Sequence, residues 1–84
     1  EQAILFGSRA RGEERAGSDW DLLVVSELAA DRKKRMALAS RLRREYARHH
    51  ADVDVILMTR QQFDLLAGQS WSIAHQAARE GITV

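Results

Sequence analysis

Two carboxylates, Asp19 and Asp21, open a run containing Trp20 and Leu22-Leu23-Val24-Val25, residue types that favour an extended strand. Successive side chains on a strand point to opposite faces, so both acids project from the same face. At the start of a buried strand such a pair costs several kcal/mol unless hydrogen bonds, raised pKa values or a metal compensate it. Carboxylate oxygens select hard ions such as magnesium. Upstream, Gly7-Ser8 stops the apolar run Ala3-Ile4-Leu5-Phe6 and begins what reads as a helical turn. Unpaired backbone N–H groups and the Ser8 hydroxyl would converge there, a geometry that suits a phosphate. Gly7 lets the backbone approach closely, and Arg9 and Arg11 offer a guanidinium fork matched to the oxygens of a polyphosphate. A later stretch carries Asp52 and Asp54 on one face, with Val53, Val55 and Leu57 on the other. If that strand lies beside the second, a third acid joins the pair. Nucleotidyl transfer needs such a set: two ions about 3.5–4 Å apart bridge the attacking and leaving oxygens, while a carboxylate near the acceptor hydroxyl helps to remove its proton.

The elements that must position these groups follow from the spacing of apolar residues. Residues 3–6 read as a buried strand, and a helical turn is expected from Ser8 to about Arg11, stopped by Gly12. Residues 13–18 are polar and loop-like, and 19–25 form the second strand. From Glu27 to His50 strand character disappears, while Met36, Ala39, Leu42, Tyr46 and Ala47 recur at helical spacing, so this is the main amphipathic helix, with Ser26 or Asp31 as its N-cap. Residues 52–58 give a third strand. Thr59-Arg60-Gln61-Gln62 fits a capping box for a helix ending near Gly68. A further helix runs over about 70–80, with Ile73, Ala74, Ala77 and Ala78 as its buried stripe and Gly81 as its stop, and Ile82-Thr83-Val84 is a short last strand. Trp71 and Ile73 are most simply core. His49 and His50 read as a helix C-terminal region rather than as metal ligands, and His75 lines or flanks the last helix.

At 84 residues, 45% hydrophobic and 30% charged, with no repeat or linker, the chain reads as one folded domain with a thin core, spanning 1–84. Glu1 stands without a Met and an apolar run follows almost at once, so an N-terminal segment is expected to be missing. The absence of cysteine excludes disulfides, thiolate zinc sites and a cysteine nucleophile, and a reducing cytoplasm is the default. No apolar run reaches membrane-spanning length. A net charge of +1 gives no general pull toward nucleic acid, although many cations fall between Arg32 and Arg48. That stretch reads first as a solvated helix face, since almost no aromatic residue is interleaved for stacking on a base.

Gly7-Ser8-Arg9-Ala10-Arg11-Gly12, followed after a short loop by Ser18-Asp19-Trp20-Asp21-Leu22, resembles the signature of the polymerase-β-like nucleotidyltransferases, in particular the minimal nucleotidyltransferases of bacteria and archaea. The resemblance implies a two-layer α/β (α+β) fold, a small mixed sheet with helices packed mainly on one face. It implies that Ser8 and the turn at Gly7 contact the phosphates of an NTP, which Arg9 and Arg11 stand near enough to neutralise, and that Asp19 and Asp21 bind magnesium. It also implies a third Asp from the next long strand, and Asp54, in Val53-Asp54-Val55-Ile56, matches that position better than Asp52. Trp20 replaces the more usual aliphatic residue. The implied activity is transfer of an NMP, AMP for preference, from an NTP to a hydroxyl, with two magnesium ions. Members of the minimal class commonly pair with a small all-helical HEPN toxin and act as its antitoxin, some by transferring AMP to it. The class also resembles aminoglycoside nucleotidyltransferases. An inactive antitoxin that blocks its partner by contact is the competing expectation, and a catalytic half of an RNA-modifying assembly a third. So small a domain is expected to draw substrate recognition from a partner or a second copy.

Overall fold

The computed structural model describes residues 2–7, 20–49 and 53–84. Along the chain run β1 (Gln2–Phe6), β2 (Trp20–Val25), a short 3-10 turn (Glu27–Ala30), α1 (Arg32–Arg48), β3 (Val53–Met58), α2 (Arg60–Ala67), α3 (Ile73–Glu80) and β4 (Ile82–Thr83). The strands form one mixed sheet in the order β3-β2-β1-β4. β1 is antiparallel to both β2 and β4, and β2 is parallel to β3, the connection between them carrying α1. This is the small mixed α/β sheet that the resemblance implies.

Local chemistry explains the boundaries. Ser26, an expected cap, starts the 3-10 turn by accepting from the Leu28 N–H at 3.2 Å. Asp31, the other expected cap, starts α1 by accepting from the Lys33 and Lys34 N–H groups at 2.9 and 3.2 Å. Each satisfies donors that the first turn leaves free. The capping box at α2 is present in both halves: the Gln62 N–H donates to Thr59 Oγ1 at 3.1 Å, and the Thr59 N–H donates to Gln62 Oε1 at 2.9 Å. Ser72 caps α3 and donates its hydroxyl back to the Leu66 carbonyl, which fixes α3 against the end of α2. His75 adds a 2.8 Å contact between Nδ1 and the Ala67 carbonyl oxygen, so its role is to flank the helix pair.

Register sorts the strand residues into two faces. Ile4, Leu23 and Ile56 stand side by side across β1, β2 and β3, and Val25 and Met58 follow two residues on. With Phe6, Phe63, Ala74 and Ala77 these side chains form the main core, so α2 and α3 share this face. Residues of the opposite face include Val55 and Leu57, which line a depression with Met36 and Ala39 of α1. α2 and α3 therefore lie on one face and α1 lies on the other. Being covered on both sides explains why β2 buries Leu22, Leu23 and Val25 almost without alternation, whereas on β3, at the sheet edge, only Met58 is fully buried.

Several expected core positions are solvent-facing. Trp71 is 76% exposed and Ile73 40% exposed, because residues 69–72 form a turn that Ser72 terminates and α3 begins only at Ile73. Ala78 is exposed too, leaving Ala74 and Ala77 as the buried stripe of α3. On α1, Ala47 faces water and Met36, though it borders the depression beside Val55 and Leu57, is exposed, while the inward arc runs through Arg35, Leu38, Ala39, Leu42 and Tyr46. An arginine stem can cover apolar surface while its charged head stays wet, so Arg35 occupies a position that the apolar pattern does not mark.

Gly81, where α3 turns into β4, has no room for a side chain: a Cβ there would overlap Ile4 Cγ2 and stand 2.5 Å from the Ala77 carbonyl oxygen. Gly81→Ala is expected to lower stability by about 1–3 kcal/mol, the usual cost of overpacking, seen as a reduced Tm in a circular-dichroism melt. An unchanged Tm would mean that β4 does not press on β1 as described.

Candidate active site

The end of β1 and the starts of β2 and β3 meet at one edge of the sheet, because β1 runs toward that edge while β2 and β3 run away from it. Phe6, Asp21 and Asp54 are partners across the three strands. Asp21 and Asp54 lie on the same face as Leu23 and Ile56, each two residues earlier in its strand. The face that forms the apolar core thus turns acidic at its last inward position. Asp21 is half-buried and Asp54 is exposed, so the apolar floor ends where the carboxylates begin to reach water.

Adjacent strands stand about 4.8 Å apart, so carboxylates in register on neighbouring strands repel one another unless a cation or donors lie between them. Phe6, only 1% exposed, stands beside Asp21 and keeps water from that side. Its place immediately before Gly7 was the only sequence signal that it would wall the site. Gly7 follows at φ 102°, a backbone region that costs an L-residue with a Cβ roughly 1–2 kcal/mol, and it is buried. The chain therefore turns sharply at the point where β1 reaches the carboxylates.

Of the residues singled out from sequence, the structure brings Gly7, Asp21 and Asp54 to this one edge. Ser8, Arg9, Arg11, Asp19 and Asp52 lie outside the described residues. Among the described residues no group of three or more acidic, histidine or cysteine side chains is placed to hold a metal ion. Asp21 and Asp54 nonetheless suit a hard divalent cation: both offer oxygen donors, from one face, at a water-accessible edge.

A mixed sheet with a tight glycine turn at the end of one strand and acids at the starts of the next two defines the class of nucleotidyltransferase domains. The chain belongs to the Polymerase beta, Nucleotidyltransferase family, whose model matches residues 1–84. No curated protein and no solved structure matches it. Among the described residues no helix is long and apolar enough to cross a membrane.

Proposed function

We propose that the protein is a magnesium-dependent nucleotidyltransferase that moves an NMP, AMP in the favoured case, from an NTP to a hydroxyl. The observation that carries this reading is Asp21 in register with Asp54 on one face, one strand away from the positive-φ Gly7. In this reading Asp19, Asp21 and Asp54 hold the ions, and Gly7, Ser8, Arg9 and Arg11 hold the triphosphate. Bound magnesium supplies charge neutralisation at the α-phosphate and the leaving group. The acceptor oxygen attacks the α-phosphorus, the bond from that phosphorus to the oxygen bridging to the β-phosphate breaks, and pyrophosphate leaves. The acceptor's proton passes to a carboxylate, for which exposed Asp54 is the accessible choice.

The resemblance to minimal nucleotidyltransferases supports a cytoplasmic antitoxin role with a small helical HEPN-type partner as acceptor. Incubation with α-labelled ATP, magnesium and such a partner is expected to label the partner. EDTA should abolish the label and excess magnesium restore it. Labelling that persists in EDTA would overturn the metal-dependent reading. Neutralisation of the partner without any labelling would select the antitoxin that acts by contact alone.

A further inference from the structure

Of the protein's 13 basic residues, eight lie in the 17-residue helix α1, and of its 12 acidic residues only Glu45 does. Seven of the eight, all but Arg35, are exposed. The fold does not ask for this. Arg32, Lys33, Lys34 and Arg35 fill the first turn, which contains no acid, although the helix dipole makes that end positive. Arg32 and Arg35, Arg41 and Arg44, and Arg44 and Arg48 are like-charged neighbours three or four apart, a destabilising spacing. Among the described residues Arg48 has Glu45 at 3.2 Å, whereas Lys34, Arg41 and Arg44 make no ion pair or side-chain hydrogen bond. A charge pattern that works against its own helix marks a surface kept for something other than folding.

We infer that the outer face of α1 is a docking surface for the phosphate backbone of a double-stranded nucleic acid. Lys34, Arg41 and Arg44 rim an open groove of about 380 Å³ with Leu28, Ala37 and Leu38 among its lining, so phosphates meet the cations while sugar edges rest on the apolar floor. Lys34, Arg41, Arg44 and Arg48 follow one another along the axis at intervals of roughly 5–10 Å, over a helix about 25 Å long. Tyr46, the only aromatic of α1, is half-buried, so the face lacks the stacking platforms on which single strands are held. A protein partner would want a large aromatic or apolar anchor at the centre of its footprint, whereas the apolar part of this groove is Leu28 with Ala37 and Leu38 and the cations spread along the whole helix. This face is opposite to the one bearing Asp21 and Asp54, so a docked duplex leaves the carboxylate edge open.

The test is fluorescence anisotropy with labelled DNA and RNA duplexes of about 20 base pairs, titrated across salt concentrations, where log K falls by about 0.9 per decade of salt for each phosphate neutralised. Wild-type protein is expected to bind at low salt. The variant carrying Lys34→Gln, Arg41→Gln and Arg44→Gln should bind at least tenfold more weakly, with a salt slope shallower by about 2–3. Its Tm should change little, because none of the three side chains makes an ion pair or hydrogen bond among the described residues. Binding of both duplexes, or of RNA alone, supports the inference, the second outcome narrowing the ligand to A-form geometry. No wild-type binding, an unchanged slope in the variant, or equal competition by polyglutamate at matched charge overturns it, the last in favour of an acidic protein surface. Asp21→Asn should leave duplex binding intact, so failure of the transferase reading and failure of this one are told apart.

Discussion

An Asp21→Asn protein is expected to lose more than about 100-fold of its nucleotidyl transfer, since disturbing even the groups behind a metal ligand costs 10–100-fold. Asn keeps the shape of Asp and removes the charge, and Asp21 faces Asp54 across the β2–β3 pair. Asn fills the same space and can still accept and donate hydrogen bonds, so the variant should still fold and give a cooperative melt. Loss of transfer with an intact melt is the signature of a chemical rather than a folding role. Asp54→Asn should behave in the same way and Asp52→Asn should remain near wild type. Full transfer by the Asp21 variant, measured with the same labelled nucleotide, would remove the central acid from the mechanism. Asp52→Asn failing while Asp54→Asn works would move the third carboxylate two residues upstream.

Leu23→Ala should be the most damaging core substitution, costing about 2–5 kcal/mol. Leu23 is 0% exposed, in register with Ile4 on one side and Ile56 on the other, at the centre of the sheet. A chain of this size has a total stability on the order of 4–13 kcal/mol, so the loss is a large part of the whole. In a thermal melt it should lower Tm by roughly 10–30 °C. Leu57→Ala offers the contrast: Leu57 is half-buried, on an edge strand and on the α1 face, and its truncation should cost clearly less. Equal losses at the two positions would show that the α1 layer matters as much to stability as the α2–α3 layer.

How much was legible in the residues depended on whether the signal was local. The Thr59 box, the Asp31 cap and the Gly81 stop are set by a few neighbouring side chains, and each forms as its sequence indicates, whereas Ser26 caps a 3-10 turn and the main helix starts only at Arg32. The strands announced themselves by residue type. Pairing did not: parallel strands joined through a helix have no tight turn to set their register, so the juxtaposition of Asp21 and Asp54 could be stated only as a condition. The inward face of α1 was misread at Met36 and Ala47 because a helix this rich in arginine offers several overlapping arcs, and contact with β3 selects among them. Trp71 was misread because size and hydrophobicity argue for burial, while its position in the turn before Ser72 turns it outward. The proposed roles of Ser8, Arg9 and Arg11 at phosphate and of Asp19 at metal rest on motif and family resemblance alone.

The pairing of Ile4 with Thr83 and of Leu5 with Ile82 joins residues far apart in sequence. A ribosome exposes residue 4 long before residue 83, so during synthesis β1 can zip onto β2 but must wait with its other side unpaired. The strand that leads into the glycine turn is then a bare template for any extended peptide nearby, and only the arrival of Gly81 to Thr83 shields it. Closure of the strand beside the proposed site therefore comes late in the folding of each nascent chain, and deletion of residues 81–84 should produce aggregation before it produces a weakened fold.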